Sequence, residues 1–171
     1  MPRRLTDDEF AELMHGCWAG LYRTAYLLVG DHAEAEDLVQ TALAKTYASW
    51  HRVESLEAAG GYARTTLVNT AASWFRKKGW RNERPTAQLP DNPGPEVDAT
   101  ERPDLMTALA GLPPGQRAVV VLRFYEDRSV AQVAHALGVS EGTVKSQTSQ
   151  ALAKLRTSLG DAVIPQGADH D

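Results

Sequence analysis

The sequence predicts an all-α protein of two small helical domains joined by a Pro-rich acidic linker, the C-terminal domain being a helix-turn-helix. Three observations carry that expectation. Apolar residues recur at three- and four-residue steps over most of the 171 residues, and no long stretch alternates as a half-buried strand would. Five of the nine prolines (Pro85, Pro90, Pro93, Pro95, Pro103) fall in one stretch without helical period, where an extended, semi-rigid linker is expected. Near the end, two helical periods are separated by Gly138-Val139-Ser140, the spacing of a helix-turn-helix. The expected divisions are residues 1–84, a linker over 85–103, a second domain over 104–159, and a tail over 160–171 whose Gly, Pro and acidic residues read as disorder.

In the first domain, Phe10, Leu13, Met14, Cys17, Trp18, Leu21, Tyr22, Ala25 and Leu28 form the apolar stripe of a helix ending near Gly30. A second helix begins after Asp31, with Leu38, Val39, Ala42, Leu43, Thr46 and Trp50 inward. Glu34, Glu36 and Asp37 suit the positive end of its dipole. Gly60 and Gly61 are expected to break the chain before a third helix over 62–78, whose inner face is Leu67, Thr70, Ala71 and Trp74. Thr65, Asn69, Ala72, Ser73 and Arg76 fall on its opposite side.

In the second domain, Leu105, Ala108, Leu109 and Leu112 make a short helix stopped by Pro113 and Pro114. The run from Ala118 to Leu122 suits a strand by periodicity, but the Pro-Pro pair and the helices on both sides favour a buried helix. Val130, Val133, Ala134 and Leu137 then give a supporting helix. Gly138 stands where a left-handed cap is needed, Val139 is the buried turn residue, and Ser140 is the N-cap of the last helix. There Val144, Thr148, Ala151, Leu152 and Leu155 group inward, and Gly142, Thr143, Ser146, Ser149, Gln150 and Ala153 outward. An outer face of small and amide side chains can approach base edges in a major groove, and Lys145, Lys154 and Arg156 at its flanks can meet phosphates. An αα-corner with a solvated face has the same pattern.

The net charge of −4 argues against nucleic acid only as a sum. Between Tyr62 and Arg84 six bases (Arg64, Arg76, Lys77, Lys78, Arg81, Arg84) stand against Glu83; between Pro85 and Asp104 five acids stand against Arg102. A basic block is followed by an acidic one, and distribution decides what a field attracts. Cys17 is the one cysteine, so no intrachain disulfide can form, and the five histidines show no ligand spacing; neither a metal nor a cofactor is expected. No apolar run is long enough to insert in a membrane, and the start of the chain carries charges where a signal peptide needs an apolar stretch. A soluble, cytoplasmic protein follows as the expectation. No Gly-rich phosphate loop, nucleophile motif or metal constellation supports an enzyme. A response regulator would need an α/β receiver domain for which the first half has no strands.

The stretches 112–118, 122–127, 130–134 and 137–146 closely resemble the promoter-binding C-terminal domain of extracytoplasmic-function sigma factors, members of the sigma-70 family. In the first domain, 35–43 resembles that family's polymerase-binding helix, and 62–78 its promoter-melting segment; Asn69 and Trp74 are similar to the actinobacterial sigma-E subgroup. The resemblance implies core RNA polymerase and promoter DNA as partners, with an anti-sigma factor as a further one. It implies that Asp37, Leu38 and Gln40 dock on polymerase, and that Arg64, Asn69, Ser73, Arg76, Lys77, Lys78 and Trp80 engage the minus-ten element. Ser140, Thr143, Lys145, Ser146, Ser149, Gln150 and Arg156 would then read the minus-thirty-five element. Single-strand capture combines cations with aromatic platforms; Trp80 lies beyond the third helix, whereas Trp74 lies on its inner stripe and suits either core packing or a base. Gln147 and Gln150 stand where the family often has arginine, so weak DNA binding without polymerase is expected. An adaptor that binds polymerase without DNA would not need the basic third helix.

Overall fold

The computed structural model describes residues 3–77 and 103–160. The linker and tail expectations therefore lie outside the described residues, apart from Pro103 and Gly160, and so do Lys78 and Trp80. Among the described residues the regular structure is helical, with no strand. The helices are α1 (Asp7–Val29), α2 (His32–Ala48), α3 (Leu56–Lys77), α4 (Pro103–Ala110), α5 (Pro114–Val120), α6 (Val130–Leu137) and α7 (Glu141–Leu159).

Local chemistry sets most boundaries. Thr6 and Glu9 form a capping box on α1: the Glu9 amide donates to Thr6 Oγ1 (3.2 Å), and Glu9 Oε2 accepts from the Thr6 amide (2.7 Å). That backbone bond lowers the Glu9 carboxyl below its ordinary range. Asp31 caps α2 by accepting from the Glu34 amide at 2.9 Å. Between them Gly30 takes φ +72°, the left-handed cap expected there.

Two expectations about helix ends and breaks fail in the first domain. Trp50 does not continue α2, which stops at Ala48; it opens a short 3₁₀ turn (Trp50–Arg52) instead. There it is buried with Leu13, Val53 and Ala59, its indole Nε1 donating to the Thr6 carbonyl at 3.0 Å. Gly60 and Gly61 do not break the chain but lie inside α3. The helix starts earlier because Ser55 Oγ accepts from the Ala58 amide (3.1 Å). Two interior glycines cost about 1 kcal/mol each, which the burial of Ala59 and Ala63 on either side helps offset.

In the second domain the β-branched run is helical, and Ala118, Val119, Val120, Val121 and Leu122 are all buried. After α5 it widens into a π turn over Val121–Tyr125, where the Glu126 amide donates to the Val121 carbonyl at 2.9 Å. Burial overrides β-propensity here.

One apolar core runs through both helical units. Beside its inner stripe, α3 buries a second one, Val68, Ala72 and Phe75, and it packs on α6 as well as on α1 and α2. Ala72, expected on the outer face, is 1% exposed for that reason. Polar contacts close the seam between the units. Glu126, its side chain 5% exposed, lies 3.4 Å from Arg64 Nε through Oε2 and accepts from Thr24 Oγ1 through Oε1. Arg76 donates to the Ala136 carbonyl at 3.4 Å. Arg117 donates to the carbonyls of Leu109 (2.9 Å) and Ala110 (3.1 Å) at the end of α4, and its guanidinium lies where a side chain on Gly30 would sit.

Candidate nucleic-acid interface

The C-terminal motif forms from its caps. Ser129 and Gln132 make a capping box on α6, with bonds of 2.9 and 3.1 Å, and Gly138 ends it at φ +66°. Ser140 then caps α7, accepting from the Thr143 amide at 3.0 Å. Its hydroxyl also meets Thr143 Oγ1 at 2.9 Å, so both hydroxyls are engaged at the helix start and Thr143 is half-buried. Val139 is half-buried where full burial was expected.

The two faces of α7 separate as the spacing predicts. Val144, Thr148, Ala151, Leu152 and Leu155 are buried. Gly142, Ser146, Ser149, Gln150 and Ala153 are exposed, together with Lys145, Lys154 and Arg156. The result is a face of short polar and amide groups with cations at its edges, a shape that enters a groove and offers donors and acceptors there. Gln150 differs from its neighbours in being held from below: its Oε1 accepts from Nε2 of Gln116 in α5 at 3.1 Å.

On α3, Thr65, Asn69 and Lys77 are exposed and Ser73 is half-buried. Arg64 and Arg76 are exposed too but occupied, the first by Glu126 and the second by the Ala136 carbonyl. Trp74 is half-buried and packs against the core, which fits the core reading. On α2, Asp37 and Gln40 are exposed. Leu38 is 0% exposed and belongs to the core, so it is corrected from a docking residue to one that seats the helix. Cys17 is half-buried; desolvation raises its thiol above the ordinary value, with Arg64 acting the other way.

Sequence reasoning missed Glu126, Gln116 and Arg117. Each is a polar residue inside or beside an apolar run, which signals burial with a partner but cannot name a partner far away in sequence. Among the described residues, no helix is long and apolar enough to cross a membrane.

Comparison with known proteins agrees with this geometry. Residues 17–81 match the family model for sigma-70 region 2, and residues 108–157 that for sigma-70 region 4. The chain is similar to an RNA polymerase sigma-E factor of Streptomyces coelicolor, 45% identical over 88% of this chain and 86% of that protein. It is also similar to the extracytoplasmic-function sigma factor SigL of Mycobacterium tuberculosis, 35% identical over 82% of this chain and 83% of that one. A solved structure of the Bartonella quintana sigma factor RpoE, in complex with the anti-sigma factor NepR, aligns with a TM-score of 0.63. It is 26% identical and covers 89% of this chain and 97% of its own. Helical fold, motif positions and relatives agree: the chain belongs to the extracytoplasmic-function sigma factors of the sigma-70 family, proteins that recognise promoters and initiate transcription with RNA polymerase.

Proposed function

We propose that the outer face of α7 reads the minus-thirty-five element and the exposed side of α3 the minus-ten element, with α2 as the docking helix for core RNA polymerase. The observation that carries this reading is the exposed row Gly142, Ser146, Ser149, Gln150 and Ala153, bordered by Lys145, Lys154 and Arg156. Short side chains there allow close approach to base edges, and the cations set register on the phosphates. On α3, the Asn69 amide is the group able to read a base, with Ser73 beside it and Arg64, Arg76 and Lys77 for the backbone. Lys78 and Trp80 continue that set in sequence. Asp37 and Gln40 form the polar docking edge, with Leu38 beneath them.

The first domain then spans 1–84 and the second 104–159, joined by the acidic linker 85–103, with 160–171 as a tail. The protein works in the cytoplasm, where its polymerase is, and performs no catalytic chemistry itself. An anti-sigma factor is a further partner by kinship with the NepR-bound neighbour. Three variants test the assignment: Ser146→Ala should weaken initiation in a way that depends on the minus-thirty-five sequence, Asn69→Ala in a way that depends on the minus-ten sequence, and Asp37→Lys with Gln40→Ala should weaken capture of core polymerase with DNA absent. Variants that lower all three readouts together would refute it.

A further inference from the structure

We infer that Gln116 is a positioning residue for promoter reading: it holds the Gln150 amide so that its NH₂ end faces a hydrogen-bond acceptor of minus-thirty-five DNA. The inference rests on α7 being the recognition helix. Gln116 lies in the first turn of α5 and is 5% exposed. Its Nε2 donates to Gln150 Oε1 at 3.1 Å, while its own Oε1 is buried with no hydrogen-bond partner. A buried amide with one end unsatisfied serves the fold less well than an apolar side chain of similar volume. Leu112, Ala118 and Val119, its neighbours in sequence, are core residues of that apolar kind. The hydrogen bond that the Gln116 side chain does make goes to the exposed face of α7. Stability does not account for a glutamine at this position, whereas the orientation of Gln150 does.

That orientation has a chemical consequence. Gln150 sits one helical turn beyond Ser146, and α7 packs on α5. A glutamine reading adenine usually sets both ends of its amide against the base, one donating and one accepting. With the carbonyl turned toward Gln116, Gln150 instead leads with N–H donors. These suit guanine O6 and N7, thymine O4 or a phosphate oxygen, and they meet a second donor at cytosine N4. The group is uncharged, so it adds nothing to the salt dependence of binding.

The test uses holoenzyme assembled with core polymerase of Streptomyces coelicolor on promoters selected from genomic fragments by the wild type, then randomised at the minus-thirty-five element. Wild type, Q116M, Q150A and the double variant are compared for initiation and thermal stability. The expected result is that Q116M melts no lower than the wild type yet initiates about 3- to 10-fold less, the worth of one hydrogen bond. That loss should vanish in the Q150A background. If the acceptor is a base, the loss is confined to one minus-thirty-five position, where Q150E turns the preference toward cytosine; if it is a phosphate, the loss is uniform and the salt dependence unchanged. Equal initiation by Q116M and the wild type, or losses that multiply in the double variant, would overturn the proposal. A wild type indifferent to the minus-thirty-five sequence would refute the recognition-helix reading, and the proposal with it.

Discussion

Gly30 and Gly138 both take left-handed backbone, yet their surroundings differ. A Cβ on Gly30 would run into the guanidinium of Arg117, which is held by two carbonyls, whereas a Cβ on Gly138 would meet the exposed end of Arg76 at 3.1 Å. Gly138→Ala should therefore cost about 1–2 kcal/mol from backbone strain alone, and Gly30→Ala about 3 kcal/mol or more once Arg117 bonds are disturbed. Urea denaturation of both variants checks the order; equal losses would contradict the role given to Arg117. Burial raises the Cys17 thiol and the Tyr22 and Tyr26 hydroxyls above their ordinary values, so the folded chain keeps these protons longer than the unfolded one. Their contribution is complete below the ordinary values and is lost as pH rises through the raised ones. Stability should fall from about pH 9 upward, and Cys17→Ala should remove the earliest part of that fall.

At the scale of the element, caps and single-faced helices were legible in the sequence and two-faced ones were not. Ser140, Gly138, Glu141 and the inner row from Val144 to Leu155 could be read because α7 has one buried side and one open one. The candidate site is legible in the same row: Ser146, Ser149 and Gln150 are exposed where the spacing puts them, but the Gln116 contact beneath needs a fold to exist. In α3 the period marked one stripe, and the second, Val68, Ala72 and Phe75, is buried by a helix some sixty residues further along the chain. No local pattern announces such a partner. Ala72→Asn, harmless on a solvated face, should therefore destabilise the chain by about 2 kcal/mol as an unpaired buried amide, and Phe75→Ala by about 3–5 kcal/mol. Denaturant midpoints decide; an unchanged midpoint for the asparagine variant would return Ala72 to the outer face.

The whole molecule must reconcile its packing with the promoter. If α7 reads the minus-thirty-five element and α3 the minus-ten element, the two helices must reach separate stretches of duplex, each base pair adding about 3.4 Å, while α3 is about 33 Å long from its 22 residues. In the free chain the two units share one core, which holds both helices in one body. On that reading, the seam held by Glu126, Arg64, Thr24 and Arg76 is expected to part on the promoter, which would free Arg64 and Arg76 for DNA. Dyes on the exposed positions Ala33 and Ser158 should move apart when the promoter complex forms, and Glu126→Ala should widen their separation in the free protein. An unchanged separation during promoter-specific initiation would contradict simultaneous reading of both elements.

This chain chooses promoters for RNA polymerase, and run-off transcription reads that choice. Core polymerase of the source organism, purified free of sigma factors, is supplied with genomic fragments with and without the protein. Start sites are expected that appear only with the protein and share one pair of minus-ten and minus-thirty-five sequences. Start sites that are the same without it, or none across the whole library, would contradict promoter choice by this chain.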